Sequence, residues 1–207
     1  MKIQLVDKNQ EMCEEWAMNF RGCEDVTVHK GDFFAIPTDC VVSPANSYGF
    51  MDGGLDYWIT RQLGGRVQAT IQQLIAEKYD GELLVGQAVI VETGNDKIPY
   101  CISAPTMRVP LILSDSVNVY LAAKATFLKL KKTNESLEAA GKPKIEAVTI
   151  SGMGTGVGKV PFSVCAIQMK KAYDDFWLGQ YTYPVSWHEA QTRHQLLYTD
   201  QTRDLQR

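Results

Sequence analysis

Short apolar runs alternate along this chain with longer stretches in which apolar residues recur every three or four positions. The short runs predict strands and the longer periodic stretches predict helices. The predicted strands lie at residues 3–6, 26–28, 40–43, 87–92, 100–104 and 145–150. The predicted helices lie at residues 7–21, 55–63, 66–79, 116–140, from 161 onward, and at 186–197.

This alternation of strands and helices predicts an α/β fold, with helices on both faces of a parallel or mixed sheet. No internal repeat or low-complexity linker interrupts the pattern, so we expect one domain followed by a short extension. Folds of this class place their ligands beyond the carboxyl ends of the strands, where loops lead into helices. The strand-to-helix junctions are therefore the first place to look for a site.

Composition and charge restrict the possible functions. The formal net charge of −3 offers no basic footprint, so we expect no general nucleic-acid binding. No apolar run is long enough to span a membrane, and the first ten residues lack the apolar segment of a signal peptide. We therefore expect a cytoplasmic protein without a membrane partner.

The cysteines and histidines give no sign of a metal site. The five cysteines are scattered, odd in number and without a CxxC pair, which predicts buried, reduced thiols. The three histidines do not combine with them at metal-ligand spacing. We expect neither a metal nor another cofactor.

Two strand-to-helix junctions, at residues 42–56 and 150–161, are rich in glycine. Glycine lets the backbone turn tightly and approach a ligand, and successive backbone N–H groups before a helix form an anion site. Two such loops on neighbouring strands would suit two linked phosphates. The alternative is that both are tight turns without a ligand.

Neither of the two common nucleotide motifs accounts for the second loop. In a Walker A motif, four residues separate the first glycine from the Gly-Lys pair, and Ser or Thr follows. Gly152 is one residue too far from Gly158-Lys159, and Val160 follows the lysine. The GxGxxG pattern also fails from either Gly152 or Gly154.

With these motifs excluded, the chain resembles the macro domain family of ADP-ribose-binding modules over residues 1–178. Four segments carry the resemblance, in the family's order and at matching spacing: Val28-His29-Lys30-Gly31-Asp32, Val42-Ser43-Pro44-Ala45-Asn46, Gly53-Gly54-Leu55-Asp56, and Gly154-Thr155-Gly156-Val157 through Pro161. The amino-acid sequences of these segments are most similar to those of a bacterial and phage-associated branch of the family. The resemblance implies a three-layer α/β/α sandwich with a central mixed sheet of about six strands. Residues 179–207 would be a C-terminal extension, helical and either packed on the domain or frayed.

The resemblance also implies roles for individual residues. Asp32 would accept a hydrogen bond from the adenine amine, Asn46 would bond the distal ribose, and Asp56 would help to activate water. Asn46 and Asp56 are thus the candidate catalytic residues. The candidate ligand-binding residues are Asp32, Phe33, Ala45, Asn46, Asp52, Gly53, Gly54, Leu55, Gly154, Thr155, Gly156, Val157 and Gly158.

Each assignment has a structural alternative. Asp32 could cap the segment after a strand, Asn46 could be a turn residue, and Asp56 could be favoured by the helix dipole alone. Arg108 could reach a phosphate or stay in solvent. Two positions depart from the family pattern: Asp52 replaces a glycine, and Gly158 stands where many members have an aromatic residue.

The predicted function is binding of ADP-ribose or an ADP-ribosyl conjugate, with hydrolysis of the bond between the ribose and its acceptor. The expected partner is ADP-ribose or an ADP-ribosylated macromolecule. The first alternative is a non-catalytic reader or scavenger of ADP-ribose or a related nucleotide. The second is an interaction module with a degenerate pocket.

Overall fold

The computed structural model describes residues 1–199, 201, 203 and 205. Its strands are β1 (Lys2–Asp7), β2 (Val26–Lys30), β3 (Cys40–Ser43), β4 (Val89–Glu92), β5 (Tyr100–Ser103) and β6 (Ala147–Ile150). Its helices are α1 (Gln10–Asn19), α2 (Gly54–Leu63), α3 (Arg66–Lys78), α4 (Asn118–Ala139), α5 (Phe162–Ala172) and α6 (Trp187–Gln195). A π-helical turn, Tyr173–Trp177, continues α5.

The six strands form one sheet in the order β2-β1-β6-β3-β5-β4. All neighbours are parallel except β4, which runs antiparallel to β5 at the edge. The predicted mixed sheet of six strands is confirmed. Because β1, β6 and β3 are parallel neighbours, the loops that follow them open at the same edge of the sheet.

Helices cover both faces of this sheet, which confirms the predicted α/β/α sandwich. Val42 and Ile102 face the core that contains α1, α4 and α5. Val41 and Cys101 point the other way, to the core that contains α2 and α3. Burial on both faces explains why a central strand such as β3 is a continuous apolar run, whereas β2 at the edge alternates apolar and polar residues.

Several predicted element boundaries are wrong; for example, β6 begins at Ala147 instead of residue 145, and α1 ends at Asn19 instead of residue 21. Side-chain hydrogen bonds explain three of the differences. Helix α1 begins at Gln10 instead of residue 7, because the Asn9 side chain caps it by accepting from two backbone N–H groups. Helix α4 begins at Asn118 instead of residue 116, because the Ser116 hydroxyl bonds back to the Leu113 carbonyl. Strand β4 begins at Val89 instead of residue 87, because the Gln87 side chain accepts from Leu84 N–H in the preceding turn.

The five cysteines are free thiols, and Cys13, Cys40, Cys101 and Cys165 are buried. Burial raises the pKa of the Cys40 and Cys101 thiols, which keeps them neutral. Within the described residues, no helix is both long and apolar enough to cross a membrane.

Candidate functional site

A cleft of about 670 Å³ lies beyond the carboxyl ends of the parallel strands. Its walls come from the loops after β1, β2, β3, β5 and β6. All the residues singled out from the sequence line it: Asp32, Phe33, Ala45, Asn46, Asp52, Gly53, Gly54, Leu55, Asp56, Gly154, Thr155, Gly156, Val157 and Gly158. The structure brings these residues together in one cavity, and their contacts with a ligand stay a prediction.

The second glycine-rich loop presents unpaired backbone donors. The N–H groups of residues 154–158 donate to no acceptor in the part of the chain that the structure describes. The loop is held in place from behind, because Leu113 N–H donates to the Gly158 carbonyl at 2.7 Å. It is also tightly closed, since a Cβ on Gly158 would lie 2.5 Å from the Gly154 carbonyl oxygen. Such a run of fixed donors is suited to an anion.

The first glycine-rich loop ends at the start of α2. No side chain caps this helix, and the N–H groups of residues 54–56 have no partner among the described residues. Met51 fixes the loop from below, because its N–H donates to the Gln68 side chain at 2.7 Å. The uncapped helix end lines the cleft at Gly54 and Leu55. The helix dipole therefore adds partial positive charge to the cavity wall.

Asn46 holds the first loop together through its side chain. Its Oδ1 accepts from the N–H groups of Tyr48 at 3.1 Å and Phe50 at 3.3 Å. Its Nδ2 donates to the Phe50 carbonyl at 2.8 Å. The carboxamide thus acts as a turn residue in this structure.

Asp56 lies in the first turn of α2 and is 8% exposed. The pKa of its carboxyl group is raised to about 6, mainly by burial and to a smaller extent by the nearby Asp52 carboxylate. The Ser43 hydroxyl opposes this effect by donating a hydrogen bond to Asp56 Oδ1 at 2.6 Å. Ser43 ends β3, so the strand itself fixes the position of the carboxyl group.

A second buried hydroxyl lies on the neighbouring strand. Ser103 is paired with Ser43 in the sheet and is 1% exposed. Its Oγ has no hydrogen-bond partner among the described residues. Two paired serines at the ends of β3 and β5, Ser43 and Ser103, therefore lie at the base of the cleft near Asp56. No sequence pattern predicts this arrangement, because isolated serines also occur throughout ordinary loops.

Asp32 and Phe33 lie at the other end of the cleft, after β2. Asp32 is exposed, and its Oδ1 accepts from Phe34 N–H at 2.9 Å. The second oxygen, Oδ2, makes no hydrogen bond to any described residue. Phe33 is buried and meets the Phe34 ring edge to face, with 5.2 Å between the centroids. Asp32 can therefore fix the turn and still offer an acceptor to a ligand.

The aromatic wall near Asn46 is supplied by Phe50, which lines the cleft and is 53% exposed. Met51, by contrast, is a core residue. Arg108 does not line the cleft: it forms a two-armed ion pair with Glu82, at 2.6 and 3.2 Å, and lies over the Tyr48 ring. The suggested contact of Arg108 with a phosphate is not supported by this geometry.

Sequence reasoning missed several cleft residues: Asp7, Lys8, Phe34, Trp58, Thr106, Met107 and Pro110. Only the fold brings them to the cavity, since they belong to four different loops or helices. The apolar segment at 109–113 could not be distinguished by its composition from a buried strand.

No group of three or more His, Cys, Asp or Glu residues could hold a metal ion in the part of the chain that the structure describes.

Comparison with known proteins agrees with the fold. The sequence is 39% identical over 145 residues to an uncharacterized protein of Aquifex aeolicus, a match that covers 70% of this chain and 78% of that protein. The macrodomain of Mycobacterium tuberculosis DarG superposes with a TM-score of 0.56 at 19% identity, covering 72% of this chain and 90% of that one. A mutant Oceanobacillus iheyensis macrodomain with ADPR superposes with a TM-score of 0.53 at 18% identity, covering 70% and 74%.

The sequence model described as "Macro domain" matches residues 42–169, a span that includes both glycine-rich loops. That span is more than half of the chain, and the sheet, the cleft and the loops agree with it. The chain belongs to the macro domain family, which binds ADP-ribose.

Proposed function

We propose that this protein binds ADP-ribose or an ADP-ribosyl conjugate in the cleft, and that it hydrolyses the bond between the distal ribose and its acceptor. The observation that carries the proposal is the pair of unpaired N–H runs, at residues 154–158 and at the start of α2, which line one cavity. Two linked phosphates between these runs would receive donors from both sides without any cationic side chain.

The two ends of the cleft support one orientation of the ligand. Asp32 offers a free carboxylate oxygen, which is the right partner for an exocyclic adenine amine. Asn46 and Asp56 follow β3, which is separated from β2 by β1 and β6 in the sheet, and the distal ribose would lie at that end. The volume of about 670 Å³ is within the usual range for small-molecule sites.

Asp56 is the group that would carry the hydrolysis. With a pKa of about 6, its carboxyl group is largely ionised at neutral pH and is close to the range that suits a general base. In a conjugate at the anomeric carbon of the distal ribose, water would add to that carbon as its bond to the acceptor atom breaks. In O-acetyl-ADP-ribose, water would instead add to the acetyl carbonyl carbon as its bond to the ribose oxygen breaks. In both cases Asp56 would take the proton from the water, and the leaving group would depart with a proton from solvent.

A non-catalytic reader is the second candidate, and two observations favour it. The Asn46 carboxamide is occupied by its own loop. Gly158, which could not carry a side chain here without moving the Gly154 carbonyl, leaves the second loop without the aromatic residue of many family members. Both features reduce the number of side chains that could orient the distal ribose.

Calorimetry with ADP-ribose, followed by a turnover assay on the same samples, separates the two candidates. The assay would use an ADP-ribosylated protein, an ADP-ribosylated DNA oligonucleotide and O-acetyl-ADP-ribose. We expect wild type to bind and to release ADP-ribose from at least one of them. Asp56→Asn should bind and not release it, while the exposed control Asp96→Asn should behave as wild type.

Binding without release by wild type on all three substrates would establish the reader. Absence of binding would overturn both candidates and leave the interaction module. A cytoplasmic location and membership of the bacterial and phage-associated branch stay predictions of the sequence.

A further inference from the structure

The cleft has a strongly apolar margin at the end that holds Asn46. We call this margin the distal lip and define it as Phe50, Val109, Pro110, Leu111, Ile112 and Val157. Phe50, Pro110 and Val157 line the cleft itself. Leu111 is 55% exposed, Ile112 60% and Val157 57%, so these large side chains face solvent. Clustered exposure of this kind marks an interaction surface more often than a lone exposed leucine does.

The backbone holds the lip in place between the two glycine-rich loops. On one side, Ser47 N–H donates to the Arg108 carbonyl at 3.1 Å, beside the first loop. On the other side, Leu113 N–H donates to the Gly158 carbonyl at 2.7 Å, in the second loop. Residues 109–112 therefore span the gap between the loops with both ends anchored. A molecule that leaves the cleft at this end has to pass over them.

The charges around the lip argue against a nucleic-acid acceptor. Among the described residues that line the cleft, Lys8 is the only one with a cationic side chain, and it follows β1 near Asp32, at the other end. Arg108 is paired with Glu82. Asp52 is exposed and lies two residues from Phe50 of the lip, so it adds negative rather than positive charge there. A nucleic acid gains most of its affinity from contacts to phosphate, which this end does not offer.

We propose that the distal lip binds apolar side chains next to the modified residue of a protein acceptor, so that the substrate class is ADP-ribosylated protein with apolar flanking residues. This inference rests on the proposed binding of ADP-ribose in the cleft and does not depend on hydrolysis. The cleft would supply most of the affinity, and the lip would select among acceptors.

The test compares four probes by calorimetry. Two peptides differ only at the residues that flank one ADP-ribose, which are leucine and valine in one and serine in the other. Both carry the ADP-ribose through a linkage that cannot be hydrolysed. A single-stranded DNA oligonucleotide with the same attachment and free ADP-ribose complete the set.

Wild type should bind the apolar-flanked peptide about tenfold more tightly than the serine-flanked one. The double variant Leu111→Ser/Ile112→Ser should lose this preference and bind free ADP-ribose as wild type does. A matched control, Met18→Ser/Val185→Ser, removes two exposed apolar side chains outside the cleft and should keep the preference. Thermal unfolding of both variants would verify that they fold.

Equal affinity of wild type for the two peptides would overturn the inference, as would a preference that survives in the lip variant. Tighter binding of the oligonucleotide than of either peptide would assign the lip to nucleic acid instead. If free ADP-ribose does not bind, the proposed function fails, and the inference fails with it. If free ADP-ribose binds and the peptides do not differ, only the inference fails.

Discussion

Asp56 is the residue whose chemistry depends most on the fold. It is 8% exposed and accepts one short hydrogen bond from Ser43. Burial disfavours its ionised form, so its pKa in the folded protein rises from 3.8 to about 6. A carboxyl group with a raised pKa stabilises the fold fully below its unfolded pKa and loses that contribution as the pH rises through the folded value.

This shift predicts a pH-dependent difference between wild type and Asp56→Asn. Asparagine has nearly the same shape and does not ionise, so the free energy of unfolding of wild type should fall relative to the variant between pH 4 and pH 7. The expected fall over this pH range is about 2 kcal/mol. Urea denaturation of both proteins at the two pH values measures it. The exposed control Asp96→Asn should show a much smaller change, and a pH-independent difference between wild type and Asp56→Asn would contradict the account.

Asn46 gives a second prediction, because its side chain makes three hydrogen bonds inside its own loop. Asn46→Ala should lower the free energy of unfolding by about 1–3 kcal/mol. Asn46→Asp keeps the acceptor but turns a carboxyl oxygen towards the Phe50 carbonyl in place of the donor, so its cost should grow as the pH rises and that carboxyl group ionises. Chemical denaturation of the two variants measures both effects. An unfolding free energy unchanged in Asn46→Ala would mean that the loop does not need this side chain.

The sequence motifs were enough to select residues that line the cleft, but they did not predict the contacts that these residues make. Asp32 and Asn46 could be read from the sequence as ligand contacts or as turn residues, and the structure shows that both make turn hydrogen bonds. The Ser43–Asp56 bond and the unpartnered Ser103 hydroxyl join residues from two strands and a helix. Such long-range pairs leave no local pattern, which is why they could not be predicted.

At the scale of elements, the site consists of two loops that follow the parallel strands β3 and β6. Their glycines could be predicted to matter from the sequence, since close backbone approach requires them. The sequence predicted the ends of the neighbouring helices and strands less accurately. Caps such as Asn9 and back-bonding side chains such as Ser116 shifted the boundaries by two or three residues.

Replacing two glycines of the second loop should distinguish an effect on packing from an effect on the approach of a ligand. Gly158→Ala would place a Cβ 2.5 Å from the Gly154 carbonyl oxygen, so the variant should be destabilised and should bind ADP-ribose poorly. A Cβ on Gly156 meets nothing within 4 Å, so Gly156→Ala should unfold as wild type does. If a diphosphate lies against this backbone, Gly156→Ala should still lose about tenfold in affinity. Thermal unfolding and calorimetry of the pair measure both effects, and full affinity in both variants would contradict the proposed role of the loop.

At the scale of the whole molecule, the sandwich follows from the alternation of strands and helices, whereas the strand order does not. The sequence did not show that β6 lies between β1 and β3, which is what brings the second glycine-rich loop opposite the first. The extension after residue 178 packs back on the domain. Leu197 is 6% exposed, and the Tyr181 ring stacks on Phe176 with 5.3 Å between the centroids.

These contacts predict the behaviour of a chain that ends at residue 178. It should fold and bind ADP-ribose, because none of the described residues of the extension lines the cleft. Its free energy of unfolding should fall by on the order of 2 kcal/mol, since the burial of Leu197 and the stacking of Tyr181 are lost. Denaturation and calorimetry measure the two properties. Loss of binding in a truncated chain that folds would show that the extension shapes the site.

The central claim is that the unpaired backbone donors of the two loops hold the diphosphate of ADP-ribose. The most direct measurement is a titration of ¹⁵N-labelled protein with ADP-ribose, followed through the backbone amide resonances. The account predicts that the largest shifts occur at residues 54–56 and 154–158, together and with one affinity. Saturating ADP-ribose that leaves both sets of amides unmoved, or that shifts only residues outside the cleft, would contradict it.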